Sequence, residues 1–165
     1  MSGRGSRPRL VCVEDVSHLD AIRALFVEYA AALGFDLAFQ DFERELTNLP
    51  GDYAPPDGGL LLAYYEGQPA GCVAWHKLAD DICEMKRLYV RPVCHGLRLG
   101  RCLVEAVIAE ARQLGYVRMR LDTVPGMDRA QDLYSSLNFY EIDAYRYNPI
   151  PGARYMELNL QGGSG

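Results

Sequence analysis

Nowhere in this sequence do apolar residues run for the ~18 positions that a membrane-spanning helix needs, so no span is expected. The first residues, MSGRGSRPRL, carry charge but no apolar segment and are not read as a secretory signal. No Cys-x-x-Cys pair occurs. Cys12, Cys72, Cys83, Cys94 and Cys102 form an odd, scattered set, which reads as reduced, buried thiols in a cytoplasmic protein rather than a disulfide framework. His18, His76 and His95 stand too far apart to complete a metal site, so no metal is expected. Positive charge is not in excess. A net charge of −5 argues against a nucleic-acid partner and leaves cationic small molecules or basic peptides as natural partners.

What is present fits one domain. A chain of 165 residues is long enough to bury a single real core. Residues 9–160 are read as that domain, between a leader at 1–8 and a tail at 161–165 without structure. Leu10 to Val13 reads as a short strand. Ser17 is expected to start a helix, with Asp20 completing a capping box; its apolar stripe is Ile22, Leu25, Phe26, Tyr29 and Leu33, and Gly34 is its stop. Gln40 to Leu49 reads as a second short helix. Leu60 to Tyr65 is almost continuously apolar, so a strand buried on both faces is expected. Glu66-Gly67-Gln68-Pro69 then turns it into Ala70 to His76.

The next segment, Ile82 to Ala111, organises the rest. Ile82 to Val90 has strand character, and Pro92 should end its pairing. Gly96 and Gly100 flank a turn, and from Leu99 the apolar residues fall at helical spacing. A helix entered through a glycine-bearing loop presents unpaired N–H groups and partial positive charge, a site suited to phosphates. Val117 to Thr123, a helix from Met127 to Leu137, and strands Phe139 to Asp143 and Tyr155 to Leu160 complete the chain. Helices alternate with strands while hairpins join the middle ones, which describes a mixed α/β sheet rather than a Rossmann unit. Periodicity leaves the strand order open.

Two blocks carry a resemblance. Leu88-Tyr89-Val90-x-Pro92 followed by His95-Gly96-Leu97-Arg98-Leu99-Gly100-Arg101 resembles the acyl-CoA motif of the GNAT acetyltransferase superfamily, usually Arg/Gln-x-x-Gly-x-Gly/Ala. His95 stands where Arg or Gln is usual, and Arg98 where the middle glycine is usual. Ala130-x-x-Leu133-Tyr134-x-x-Leu137-x-Phe139 resembles the family's second block, with Asn138 in place of its glycine. The resemblance implies a single-domain mixed sheet of six or seven strands, splayed at its centre and flanked by about four helices. It further implies acetyl-CoA as cosubstrate, and transfer of its acetyl group to an amine by direct attack in a ternary complex. A homodimer is an expectation at the level of the family. A non-catalytic acyl-CoA-binding module on the same fold is the alternative.

Under that resemblance, Leu88, Tyr89 and Val90 and the loop His95, Gly96, Leu97, Arg98, Leu99, Gly100 and Arg101 would hold the cosubstrate. Arg98 and Arg101 would meet phosphate, or else remain solvated surface groups. The Val90 N–H is the candidate for polarising the carbonyl. Glu84 is the candidate base: a carboxylate in a dry cleft has a raised pKa and can take a proton from an amine, with Glu28 as second choice. The plainer alternative pairs Glu84 with Lys86 or Arg87. Tyr134 is the candidate acid for the departing thiolate, or else part of the core. Met127 replaces the asparagine that the family places upstream of this helix. For the acceptor, Glu28, Tyr29, Phe35 and Phe39 would form one lip and Tyr145, Tyr147 and Asn148 the other. The acidic and aromatic residues between Gly34 and Gly59 suit a protonated small-molecule or peptide amine, or form a solvated face. A cysteine nucleophile finds no support, because Cys94 and His95 are adjacent and point apart.

Overall fold

The structure, a computed structural model, describes residues 8–34 and 41–161. The chain runs β1 (Arg9–Cys12), α1 (Val16–Leu33), α2 (Phe42–Asn48), β2 (Gly59–Tyr65), β3 (Gln68–Ala79), β4 (Ile82–Val90), α3 (Leu99–Gln113), β5 (Arg118–Thr123), α4 (Asp128–Ser136), β6 (Tyr140–Ile142) and β7 (Arg154–Asn159). One seven-stranded sheet results, in the order β1-β2-β3-β4-β5-β7-β6. Every pair is antiparallel except β4 with β5, whose connection crosses over through α3. No described helix is long and apolar enough to cross a membrane.

The sheet has a core on each face. Along β2, Leu60 and Leu62 pack with Ile22, Leu25 and Phe26 of α1, while Leu61 and Ala63 join Leu103, Val104 and Val107 of α3. A two-residue side-chain period with both faces covered explains why β2 lacks polar alternation. Helix α1 begins earlier than expected. Asp15 is the cap, accepting from the His18 N–H at 3.3 Å, and the Ser17 hydroxyl donates to the same carboxylate. A carboxylate just upstream outcompetes the serine, and Asp20 pairs with Arg23 instead of closing a box. Of the cysteines, Cys72, Cys83 and Cys94 are buried as expected, but Cys12 is exposed and Cys102 half-buried.

The feature that positions the site is a gap in the sheet. β4 and β5 pair over only three rungs, Ile82↔Arg118, Cys83↔Met119 and Glu84↔Arg120. Beyond Glu84 the strands part. Opposite β3, the step from Cys72 to Ala74 matches three residues on β4, from Tyr89 back to Lys86. The extra residue bends β4 away from its neighbour. Arg87 occupies this bulge at φ 63°, a left-handed conformation that costs a non-glycine residue about 1–2 kcal/mol. Its side chain holds it there. The buried guanidinium donates to both oxygens of Glu45, from Nε at 2.9 Å and Nη2 at 2.8 Å, and lies over the rings of Phe42 and Tyr29.

Candidate active site

Between β4 and α3, a 3-10 turn at Pro92–Cys94 leads into Gly96 at φ 90° and Arg98 at φ 63°. Arg98 is the N-cap of α3 and makes no side-chain cap. The first turn of α3 therefore leaves its leading N–H groups to whatever lies in front of it. In front is a cavity walled by Val90, the His95–Arg101 loop and α4 residues Ala130 and Leu133. A Cβ added at Gly100 would meet only Leu133 Cδ2 at 3.5 Å and Val90 Cγ2 at 3.9 Å, so no protein atom excludes a side chain there. The open cradle, free helix N–H groups and the Arg98 guanidinium fit an anionic chain such as CoA.

Leu88, Tyr89, Val90, Gly96, Arg98, Leu99, Gly100 and Arg101 all line this cavity. Leu97 does not appear in its wall and is exposed. His95 lines it as well and spends Nε2 on the Val90 carbonyl at 3.0 Å, which latches the turn. Arg101 is tied to Glu105 and Ser136, so its charge is already compensated.

Leu88 and Met127 also line the gap between β4 and β5, so the two cavities share a wall. In the gap stand Tyr134 from α4, Tyr29 from α1, Asp122 from β5, Lys86 from β4 and Asn148 from the β6–β7 loop. Burial pushes the Tyr134 phenol far up, so it stays protonated and can donate. Its ring also packs on Phe139, with centroids 5.6 Å apart. The Asp122 carboxylate accepts from Asn148 Nδ2 at 3.0 Å on one oxygen, and Asn148 is itself oriented by the Ile150 N–H.

Glu84 departs from expectation. It is fully buried and walls neither the gap nor the cavity beneath α2. Its carboxylate accepts from Tyr145 Oη at 2.6 Å, Arg146 Nη2 at 2.5 Å and His76 Nε2 at 2.7 Å. Burial alone would raise its pKa. The hydrogen bond from His76, the charge of Lys86 and the Tyr145 and Arg146 contacts outweigh that and hold it below the ordinary glutamate value. The expected raised pKa is therefore corrected: a carboxylate with three donors is stabilised as the anion. Of the plainer alternative, Lys86 acts on Glu84 through its charge, while Arg87 pairs with Glu45 instead.

The remaining expected residues divide. Tyr29 and Asn148 reach the gap. Glu28 is locked in a two-pronged pair with Arg91, at 2.6 and 3.0 Å, and the hydrogen bond from Arg91 lowers its pKa, which removes it as a second base. Tyr145 is committed to Glu84, and Tyr147 is 77% exposed. Phe35 and Phe39 lie outside the described residues. Asp122 and Lys86 were not singled out from the sequence. Their only signal is strand parity: Lys86 is two residues from Glu84, and Asp122 alternates with the buried Met119, Leu121 and Thr123. Among the described residues no group of three potential metal ligands is gathered.

Residues 19–139 match the profile of the acetyltransferase (GNAT) family. An uncharacterized N-acetyltransferase of Schizosaccharomyces pombe is 44% identical over 86% of this chain and 88% of that one. An acetyltransferase of the GNAT family from Staphylococcus aureus Mu50 superposes with a TM-score of 0.78, covering 93% of this chain and 99% of that one, at 19% identity. yncA of Salmonella typhimurium, solved with its cofactor acetyl-CoA, superposes with a TM-score of 0.66 over 96% of each chain, also at 19% identity. At such identities the two structures speak for the fold alone.

Proposed function

Since the chain belongs to the acetyltransferase (GNAT) family, we propose that it moves the acetyl group of acetyl-CoA onto an amine by direct attack within a ternary complex. The carrying observation is that the α3 cavity adjoins the β4–β5 gap, sharing Leu88 and Met127 with it, and that the Asp122 carboxylate and the Tyr134 phenol both line that gap. Bound along that path, acetyl-CoA supplies an activated acyl carbon and a thiolate leaving group. The α3 N-terminus and Arg98 hold the phosphates. On the gap side, β4 beyond Glu84 pairs with no described strand, so the Val90 N–H is the candidate donor to the acyl oxygen.

An alkyl amine, with a pKa of about 10.4, arrives protonated and must lose a proton before attack. Asp122 is the carboxylate with access to the gap, and it receives that proton directly or through a water. Asn148 keeps it oriented. Tyr134 gives its proton to the sulfur as the C–S bond breaks. Glu84 acts at one remove, as a positioning residue that fixes Tyr145 and Arg146. The free thiols suit a reducing compartment such as the cytoplasm.

Tyr134→Phe tests this reading. The ring remains, so the melting temperature should move little. Turnover should fall about 10²–10⁴-fold, the usual worth of a positioned acid, and the loss should lie in kcat because the proton moves only in the transition state. Native kcat in the variant would contradict the role. Acetyl-CoA binding without acetylation of any amine would make the chain a CoA-binding module instead.

A further inference from the structure

We propose that Glu45 on α2 is a positioning residue for acetyl transfer: by holding Arg87 in the β4 bulge, it keeps the Val90 N–H turned toward the acyl group. This rests on the acetyl-transfer reading and gives α2 a part in it.

The bulge decides which way β4 points. Side chains of a regular strand alternate between the two faces of its sheet. Cys83 and Met85 belong to the core under α3, and beyond the bulge the partly buried Leu88 and Val90 pack against that same core. The alternation has slipped by one residue. Lys86, which lines the cavity beneath α2, and Arg87, which lies over Tyr29 and Phe42, are consecutive and share the other face. Tyr89 follows them there, against the core beneath α1. The backbone keeps the same count. The Arg91 N–H donates to the Ala70 carbonyl of β3 at 2.9 Å, so the Val90 N–H, one residue earlier, faces the gap. In an unbulged β4 each later residue would move one place along the ladder, and the Val90 N–H would turn to β3.

An ion pair stands behind the bulge. The Arg87 side chain is 1% exposed, and Glu45 meets it with both carboxylate oxygens. The Arg87 carbonyl accepts from Cys72 Sγ at 3.4 Å, a weak donor. Helix α2 buries none of its residues fully. It is fastened to α1 through Arg23 Nε, which donates to the Leu46 carbonyl at 2.9 Å, and the next residue toward the helix start, Glu45, reaches β4. A short helix with so little core of its own thus braces the strand at the one residue where the strand is strained. Without the Glu45 carboxylate, Arg87 would be a buried cation with no anion and a left-handed arginine with no compensating contact. Residue 87 would be relieved by returning to the extended region, and that return erases the bulge.

The test needs no acceptor. Acetyl-CoA isotopically labelled at its carbonyl carbon is bound to the full chain and read by infrared difference spectroscopy, with calorimetry alongside. A hydrogen bond to the carbonyl oxygen lowers its stretching frequency, so the native complex should absorb below free acetyl-CoA. In Glu45→Gln most of that shift should be lost, while the dissociation constant stays within about threefold of native, because the phosphates are held at α3. A glutamine that only loosened packing would lower the melting temperature and leave the bound carbonyl where it was. Glycine takes a φ of 63° without a partner, so Arg87→Gly should keep most of the shift, and Glu45→Gln added to it should remove no more. Arg87→Ala has neither the pair nor the freedom of glycine and should lose the shift; this arm does not depend on Glu45→Gln folding. A full shift in bound Glu45→Gln, or equal shifts in Arg87→Ala and Arg87→Gly, would overturn the inference and leave acetyl transfer standing. Saturable binding to the native protein without any shift would overturn the polarising role of the Val90 N–H itself, and the inference with it.

Discussion

Arg98 and Asn138 stand where the family's two motifs usually carry glycine, and both adopt the left-handed backbone that glycine would take, at φ 63° and 76°. Asparagine tolerates that region well, and arginine does not. Arg98→Gly should therefore relieve strain of about 1–2 kcal/mol, partly offset by about 0.5–1 kcal/mol of extra unfolded-chain entropy. The expected net is a melting temperature higher by about 1–4 °C. CoA affinity should fall severalfold, because a charge-assisted phosphate contact is lost. A lower melting temperature, or tighter CoA binding, would show that the arginine is neither strained nor a ligand. At this scale the anion loop was legible, since glycines at fixed spacing before an apolar helical stripe have few other uses. Asp122 was not, because a single aspartate on a strand carries no local pattern. Glu84 was noticed but misjudged: its donors lie 8, 61 and 62 residues away, and nothing local announces them.

Glu84 couples elements that are distant in sequence. Through it, β4 grips the β6–β7 loop by Tyr145 and Arg146, and β3 by His76. Its folded pKa is depressed, so its contribution is complete above the unfolded value of about 4.3 and is lost as pH falls through the lower folded value. Glu84→Gln should cost about 1.5–3 kcal/mol at neutral pH, the usual worth of hydrogen bonds to a charged group. The variant should also melt with a weaker dependence on pH below about 4.3 than the native chain. Urea melts at neutral and acid pH measure both effects. An identical acid limb in the two proteins would remove Glu84 from this role. Element boundaries followed periodicity closely for β2, β4 and α3, whose apolar patterns are long. The start of α1 did not, because Asp15, two residues before Ser17, caps the helix and takes the serine hydroxyl as a second donor. The bulge at Arg87 was invisible, since it depends on an ion pair to a helix 42 residues earlier.

At the scale of the molecule, the expected mixed sheet with a central splay is present, with seven strands and four α-helices among the described residues. Neither the sheet order nor the adjoining of the cavities could be read from hydrophobic period, because both depend on contacts between distant segments. They follow from one arrangement: a bulged β4, a β5 that leaves it after three rungs, and a helix N-terminus at the mouth of the opening. The central claim is that this opening takes acetyl-CoA. Calorimetric titration of acetyl-CoA into the native protein and Gly100→Glu, alongside melting curves of both, tests it most directly. The nearest protein atom to a Cβ at Gly100 is Leu133 Cδ2 at 3.5 Å, and a carboxylate suits the first turn of a helix, so the unliganded variant should melt near the native temperature. The native protein should bind saturably and gain about 2.7 kcal/mol at ~100 times the dissociation constant. The variant should bind at least about tenfold more weakly, because its carboxylate stands where the phosphate chain must approach and repels it. Absence of binding to the native protein, or equal binding by the two, would contradict the account.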